Sequence, residues 1–122
     1  MNTEKTITQM RKGVLELCIL SIISESKDAY ASDIIRKLKE SRLIVVEGTL
    51  YPLLTRLKND GLLSYRWEES KSGPPRKYYK ITEIGEIVLI ELLVGWQDLV
   101  GAIDKITHAV PLRENKNAKT PE

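Results

Sequence analysis

The side chains of this sequence that are best suited to chemistry are hydrogen-bond donors and cations, and they are concentrated between residues 42 and 80. That segment contains eight Lys or Arg against four Asp or Glu, whereas the rest of the chain contains eleven against thirteen. A basic segment in an otherwise slightly acidic chain suggests a surface that meets a polyanion. The alternative is a solvated surface of mixed charge.

Residues suited to catalysis or metal binding are scarce. Cys18 and His108 are each the single residue of their type, and the sequence pattern predicts them on different helices. No Gly-rich phosphate loop or nucleophile motif is present, and metal sensing needs clustered Cys and His ligands. We therefore expect a protein that is not an enzyme and that needs no metal or cofactor.

A helix predicted over residues 47–60 positions the first group of donors. Gly61 ends it as the left-handed residue, and Pro52 is expected in its first turn, where a missing N–H has no partner. Four leucines at helical spacing form a stripe directed at a core, namely Leu50, Leu53, Leu54 and Leu57. The opposite face carries donors and a ring but no acid: Thr49, Tyr51, Thr55, Arg56, Lys58 and Asn59.

A β-hairpin is predicted to position the second group. The stretches "LLSYRWEE" and "RKYYKI" are rich in aromatic and apolar residues, and "SKSGPP" between them contains turn formers. The arms of this hairpin carry five cations: Arg66, Lys71, Arg76, Lys77 and Lys80.

Other helices and one short strand are predicted around these two elements. Apolar periodicity predicts a first helix over residues 6–24 and a second over 30–40 with Asp28 as its N-cap. The β-branched run at residues 43–46 predicts a small strand. Thr82 is the expected N-cap of a last helix that continues to about residue 109.

The last helix carries a heptad repeat. Leu89, Trp96, Ile103 and Val110 are seven apart, and Leu92, Leu99 and Ile106 interleave with them. Such a repeat predicts a coiled-coil-like partner helix, hence a homodimer. We expect three segments: a unit over 1–81 that contains the first helices and the hairpin, a dimerisation helix over 82–110 and a disordered tail over 111–122.

Three helices, a hairpin and a basic exposed face on the third helix predict a mainly α fold with a small β-hairpin, a winged helix-turn-helix, followed by the long C-terminal dimerisation helix. In such a fold the third helix enters the major groove of DNA, and the β-hairpin, called the wing, lies along the phosphates of the DNA backbone. The alternative is that helix and hairpin are plain scaffold.

The sequence also resembles the PadR-type transcriptional regulators. The stretch "EGTLYPLLTRLKNDGLLSYRWEESKSGPPRKYYKITEIG" follows that family's signature, and "RKGVLELCILSII" resembles its first helix. The resemblance covers residues 11–96 and implies a dimeric winged-helix repressor of the short subfamily, with the first and last helices at the dimer interface. One departure is "YAS" at residues 30–32, where many members have "YGY", so Ser32 cannot make the contacts of a second ring.

The residues expected to contact a dyad-symmetric double-stranded operator are Thr49, Tyr51, Pro52, Thr55, Arg56, Lys58, Arg76, Lys77 and Tyr78. Those expected at the dimer interface are Leu89, Leu92, Trp96, Leu99, Ile103 and Ile106. The resemblance extends to multidrug-binding members, which implies a site for a planar aromatic or cationic molecule at Gly13, Leu17, Leu20, Leu92, Leu93 and Trp96. Trp96 either lines an open pore there or plugs it, and Glu16 is either a solvated edge residue or a counter-charge for a cationic ligand.

No apolar run in the sequence is long enough to span a membrane, and the N-terminus lacks the layout of a signal peptide, so we expect a cytoplasmic protein. Two alternatives remain for the function. One is a winged-helix regulator without a small-molecule inducer, and the other is a winged helix that binds proteins.

Overall fold

The computed structural model of the chain describes residues 2–112, and within them it contains five helices and a three-stranded antiparallel sheet. In chain order the elements are α1 (Thr3–Lys12), α2 (Leu15–Ser26), β1 (Asp28–Tyr30), α3 (Ala31–Glu40), α4 (Glu47–Asn59), β2 (Leu63–Ser70), β3 (Gly73–Ile81) and α5 (Glu83–Thr107). This confirms the predicted winged-helix class with a long last helix. Residues 113–122 of the predicted tail lie outside the described residues.

The core is built by one face each of α2, α3 and α4, closed by the sheet. The predicted leucine stripe is confirmed, because Leu50, Leu54 and Leu57 are at most 1% exposed and Leu53 packs against the same cluster. The other fully buried side chains are Ile19, Leu20, Ile23, Ile34 and Leu38. Within the described part of the chain, no helix combines the length and apolarity that crossing a membrane requires.

The sheet has the strand order β1-β3-β2. The predicted hairpin is present as β2 and β3, whose register pairs Trp67 with Lys77. Strand β1 was not predicted, because three residues are too short to show an alternating pattern, and it pairs Tyr30 with Tyr78. The strand predicted at 43–46 is wrong: this segment is an unpaired connection that leads into α4.

Three local predictions are corrected by the structure. The helix predicted over 6–24 is two helices that are separated at Gly13. Asp28 lies in β1, and the N-cap of α3 is Tyr30, whose backbone N–H donates to the Asp33 carboxylate at 3.0 Å. Pro52 is the sixth residue of α4, so it lies in the second turn and removes one helical hydrogen bond.

Gly61 ends α4 as the sequence predicts. Its φ is +79°, its N–H donates to the Lys58 carbonyl, and the Leu62 N–H donates to the Leu57 carbonyl. These two bonds form a Schellman motif, which satisfies the last carbonyls of a helix. The chain therefore turns directly from α4 into β2, which keeps the wing beside α4.

The N-terminus of α5 is attached to the rest of the chain by hydrogen bonds. The predicted N-cap is confirmed, since Thr82 Oγ1 accepts from the Gly85 N–H at 3.0 Å and donates to the Gly61 carbonyl at 2.6 Å. Ser24 Oγ donates to the Glu86 carboxylate. Because Gly85 is the last fully buried position of α5, most of this helix extends away from the core.

Candidate nucleic-acid interface

The exposed face of α4 presents most of the donors predicted from the sequence. Tyr51, Pro52, Thr55 and Lys58 lie on the side away from the buried leucines, and all four are exposed. Thr49 lies on the flank and is partly buried. Tyr51 keeps 46% of its surface accessible although it is a large ring. An α-helix with such a face fits the major groove, where hydroxyl groups and cations can reach base edges and phosphates.

Arg56 differs from the other predicted contacts because it already has a partner. Its guanidinium forms an ion pair with the Glu16 carboxylate of α2, and both side chains are partly exposed. The same flank of α4 borders Lys12 and Leu15, so Arg56 lies toward α1 and α2, away from the wing. The sequence pattern did not reveal this pair, because its members are forty positions apart in the chain.

Two cations of the wing, Arg76 and Lys77, lie near aromatic rings. The Arg76 guanidinium is 3.9 Å from the ring centroid of Tyr30, and it approaches the Ser32 hydroxyl at 3.5 Å. The Lys77 ammonium is 4.5 Å from the ring centroid of Tyr65 and 5.5 Å from that of Trp67. Contacts of this kind are favourable electrostatically, and they restrict where a long side chain can point.

Tyr78 has a different environment from its neighbours on β3. Its ring lies 4.5 Å from that of Tyr30 and 4.5 Å from the guanidinium of Arg66. Arg66 also pairs with Glu68 at 2.7 Å and with Asp28 at 3.1 Å, and these two carboxylates raise its pKa. Tyr78 is therefore half-buried among side chains of the sheet, and it lies on the opposite face from Tyr79.

A cleft of about 390 Å³ separates the exposed face of α4 from the wing and the start of α3. Trp67, which is 61% exposed, was missed as a site residue although its register opposite Lys77 follows from the hairpin. Burial raises the pKa of the Tyr79 hydroxyl at the back of the cleft. The lining residues are Tyr30, Ala31, Ser32, Glu47, Tyr51, Trp67, Pro75, Arg76, Lys77 and Tyr79.

A second region, between α2 and α5, brings together four of the six residues predicted for a small-molecule site. Gly13, Leu17, Leu92 and Trp96 line an open groove of about 300 Å³, together with Glu16, Glu91 and other residues. Leu20 does not contribute, since it is completely buried in the core. Leu93 is exposed on α5 and is not among the lining residues.

The six residues predicted at the dimer interface, here called the dimer seam, lie along α5. Leu89 packs against the core, whereas the other five members are between 38% and 80% exposed: Leu92, Trp96, Leu99, Ile103 and Ile106. Exposed apolar residues also occur away from the seam, at Ile84, Ile87, Ile90, Leu93 and Val94. A metal site is absent from residues 2–112, where no three His, Cys, Asp or Glu side chains come together.

Comparisons with known proteins agree with this arrangement. The sequence is 62% identical to a PadR-like transcription factor of Bacteroides fragilis, whose crystal structure superposes with a TM-score of 0.70 over 84% of this chain and 98% of the other. A PadR family regulator of Eggerthella lenta is 32% identical, with a TM-score of 0.80 over 87% and 92% of the two chains. A protein of Lysinibacillus sphaericus is 31% identical over 96 residues, which are 76% of this chain and 87% of that protein.

The family profile described as "Transcriptional regulator PadR-like family" matches residues 19–91, which include α3, α4 and the whole wing. A match over more than half of the chain, together with the winged-helix fold and the basic α4–wing surface, makes this a DNA-binding regulator and not an enzyme. The chain belongs to the PadR-like family of transcriptional regulators.

Proposed function

We propose that the chain is a homodimeric repressor that binds a dyad-symmetric double-stranded operator in the cytoplasm. In this proposal α4 reads base edges in the major groove, and the wing binds adjacent phosphates. The observation that carries it is the exposed face of α4, with Tyr51 and Thr55, beside the wing cations Arg76 and Lys77. Phosphate contacts supply affinity for any sequence, whereas contacts to base edges supply specificity.

Substitutions on the two surfaces test this division of labour. Thr55→Ala or Tyr51→Ala should weaken binding to the cognate operator more than binding to random DNA. Arg76→Ala or Lys77→Ala should weaken both alike and reduce the slope of log affinity against log salt by about 0.9 for each phosphate that the variant no longer neutralises. Binding isotherms at several salt concentrations measure both effects, and equal losses on both DNAs for the α4 variants would contradict the proposal.

The dimer is supported by apolar surface that a single chain leaves uncovered. None of the residues of α1 is buried, and its Ile7 and Met10 are exposed. A ten-residue helix is marginal in water unless its apolar face packs against something. The seam of α5 has the same requirement, so we propose that α1 and α5 of one protomer pack against those of the other. A stable monomer in sedimentation at micromolar concentration would refute this.

The proposed inducer is a flat hydrophobic molecule. Two carboxylates, Glu16 and Glu91, line the groove beside Trp96, and they favour a ligand that is also cationic. An indole ring attracts planar cations with about 0.5 to 2 kcal/mol per contact. Such a molecule releases the operator if it binds better to a dimer whose two α4 helices no longer match successive major grooves.

A planar cationic dye tests the inducer. Wild type should show quenching of Trp96 fluorescence together with operator release, and Trp96→Ala should lose the release. Retention of operator release in Trp96→Ala would remove this residue from the mechanism. No binding of any such dye to the wild type would favour a regulator without an inducer, and the absence of salt-dependent DNA binding would favour a winged helix that binds proteins.

A further inference from the structure

The two wing cations nearest α4, Arg76 and Lys77, lie near aromatic rings and form no ion pair with the described residues. The carboxylate in register with Arg76 belongs to Glu68, and it pairs with Arg66. Among the ion pairs of residues 2–112, none includes Arg76 or Lys77. Arg76 instead lies over Tyr30, and Lys77 lies near Tyr65 and Trp67. Their positive charge is therefore located by contacts that do not neutralise it.

Arg66 provides a comparison within the same sheet. It lies 4.5 Å from the ring of Tyr78, but Asp28 and Glu68 also pair with it. Its charge is compensated locally, and two of its donors are used. Aromatic contact alone thus does not make a cation available to a phosphate.

Flexible side chains lose conformational freedom when they bind. Arg and Lys each lose rotamer entropy when one geometry is selected, and a side chain that is already held loses less. Tyr30 is fixed at the junction of β1 and α3 by strand pairing with Tyr78 and by the hydrogen bond from its N–H to Asp33. Its ring packs against that of Tyr78, with 4.5 Å between the ring centroids, and so forms a platform for the Arg76 guanidinium.

We propose that Tyr30 and Trp67 are positioning residues that hold Arg76 and Lys77 at the mouth of the cleft, ready to receive phosphodiester groups of the DNA backbone. Ser32 takes part by placing its hydroxyl beside the Arg76 guanidinium. Neither ring needs to touch the DNA, because each acts through the cation above it. This inference rests on the proposed DNA contacts of the wing.

If the proposal is correct, removing a ring lowers the affinity for DNA without changing the number of phosphates that the protein neutralises. These two quantities can be measured independently, as the affinity and as the salt slope. Tyr30→Leu removes the ring but leaves the charge of Arg76, so affinity for a labelled mixed-sequence duplex should fall about two- to five-fold per protomer while the salt slope stays unchanged. Tyr30→Phe keeps the ring and should restore wild-type affinity. Arg76→Gln should lower affinity and also reduce the slope by about 0.9 per protomer.

A double variant shows whether Tyr30 acts through Arg76. In the Arg76→Gln background, Tyr30→Leu should cause no further loss, whereas a merely structural role of the ring would cause the same loss in both backgrounds. Trp67→Leu gives a second test that leaves the core intact because Trp67 is mostly exposed. It should lower affinity about two-fold at unchanged slope.

Arg66→Gln combined with Glu68→Gln is the matched control, and its salt slope should equal that of the wild type because a cation is removed together with the carboxylate that compensates it. Equal or tighter binding by both Tyr30→Leu and Trp67→Leu would overturn the inference, as would a further loss in the double variant. Salt-dependent binding by the wild type with no effect of ring removal would refute only this inference. Absence of salt-dependent binding by the wild type would refute the proposed function as well.

Discussion

Replacing Gly85 with alanine should destabilise the folded chain, because the position has no room for a side chain. An added Cβ would lie 2.2 Å from the Leu62 carbonyl oxygen and 2.7 Å from Cγ1 of Ile81. The first of these atoms belongs to the backbone and cannot turn aside. The same carbonyl accepts the Thr82 N–H at 3.0 Å, so moving it would also weaken the start of α5.

The expected magnitude combines two opposing effects. Overpacking typically costs about 1 to 3 kcal/mol and occasionally more, and a clash with backbone lies at the upper end of that range or beyond it. Alanine is favoured over glycine inside a helix by about 1 kcal/mol. The net loss in the free energy of unfolding should therefore be about 2 kcal/mol or more, which corresponds to a decrease in Tm on the order of 8 °C for a chain of this size.

Gly101→Ala is the matched control for this experiment. It lies in the same helix, opposite the heptad seam, and an added Cβ would meet nothing within 4 Å. It should stabilise the chain by up to about 1 kcal/mol through helix propensity alone. Urea unfolding of both variants and the wild type at one protein concentration gives the comparison. A Gly85→Ala variant as stable as the wild type would refute the close packing of α5 on Leu62.

Three further predictions concern the dimer, Arg56 and pH. Leu92→Glu combined with Leu99→Glu should give monomers or aggregates in sedimentation, because it would place charges on apolar residues that a dimer would bury. A well-behaved dimer of this variant would contradict the proposed dimer interface on α5. Glu16→Gln should free the Arg56 guanidinium to bind phosphate, so the affinity for any DNA should rise and the salt slope should become steeper by about 0.9 per protomer. An unchanged slope would show that Arg56 does not reach phosphate. Burial raises the pKa of the Tyr79 hydroxyl above its ordinary 10.0. The stabilisation from the buried neutral hydroxyl should therefore be complete below pH 10 and should be lost as higher pH ionises it. The free energy of unfolding measured at increasing pH tests this, and no loss of stability at alkaline pH would contradict it.

Much of the fold could be predicted because local patterns and packing agree. The leucines of α4 repeat at helical spacing, and the Gly61 stop requires a left-handed conformation, so both helix and terminus were predicted correctly. The hairpin has turn formers between two aromatic stretches, and Thr82 is a preferred N-cap. In each case residues close in sequence determine the structure.

The wrong predictions concern segments whose conformation depends on residues far away in the sequence. Strand β1 exists because β3 offers a free edge to Tyr30 and its neighbours, and no feature of a three-residue segment reveals that edge. Residues 43–46 have strand propensity but find no strand to pair with, so they remain a connection. The break at Gly13 likewise divides a continuous apolar pattern into α1, which buries nothing, and α2, which crosses the core.

The sequence pattern does not reveal the environment of each cation that was predicted to contact DNA. Sequence pattern placed Arg56 and Arg76 together as contacts for DNA, but their environments differ: Arg56 pairs with Glu16, whereas Arg76 lies on Tyr30. A partly exposed ion pair of this kind contributes at most about 1 kcal/mol. Glu16 also lines the groove beside Trp96. Any cation bound in that groove would therefore compete with Arg56 for the same carboxylate, which links the two surfaces through a single side chain.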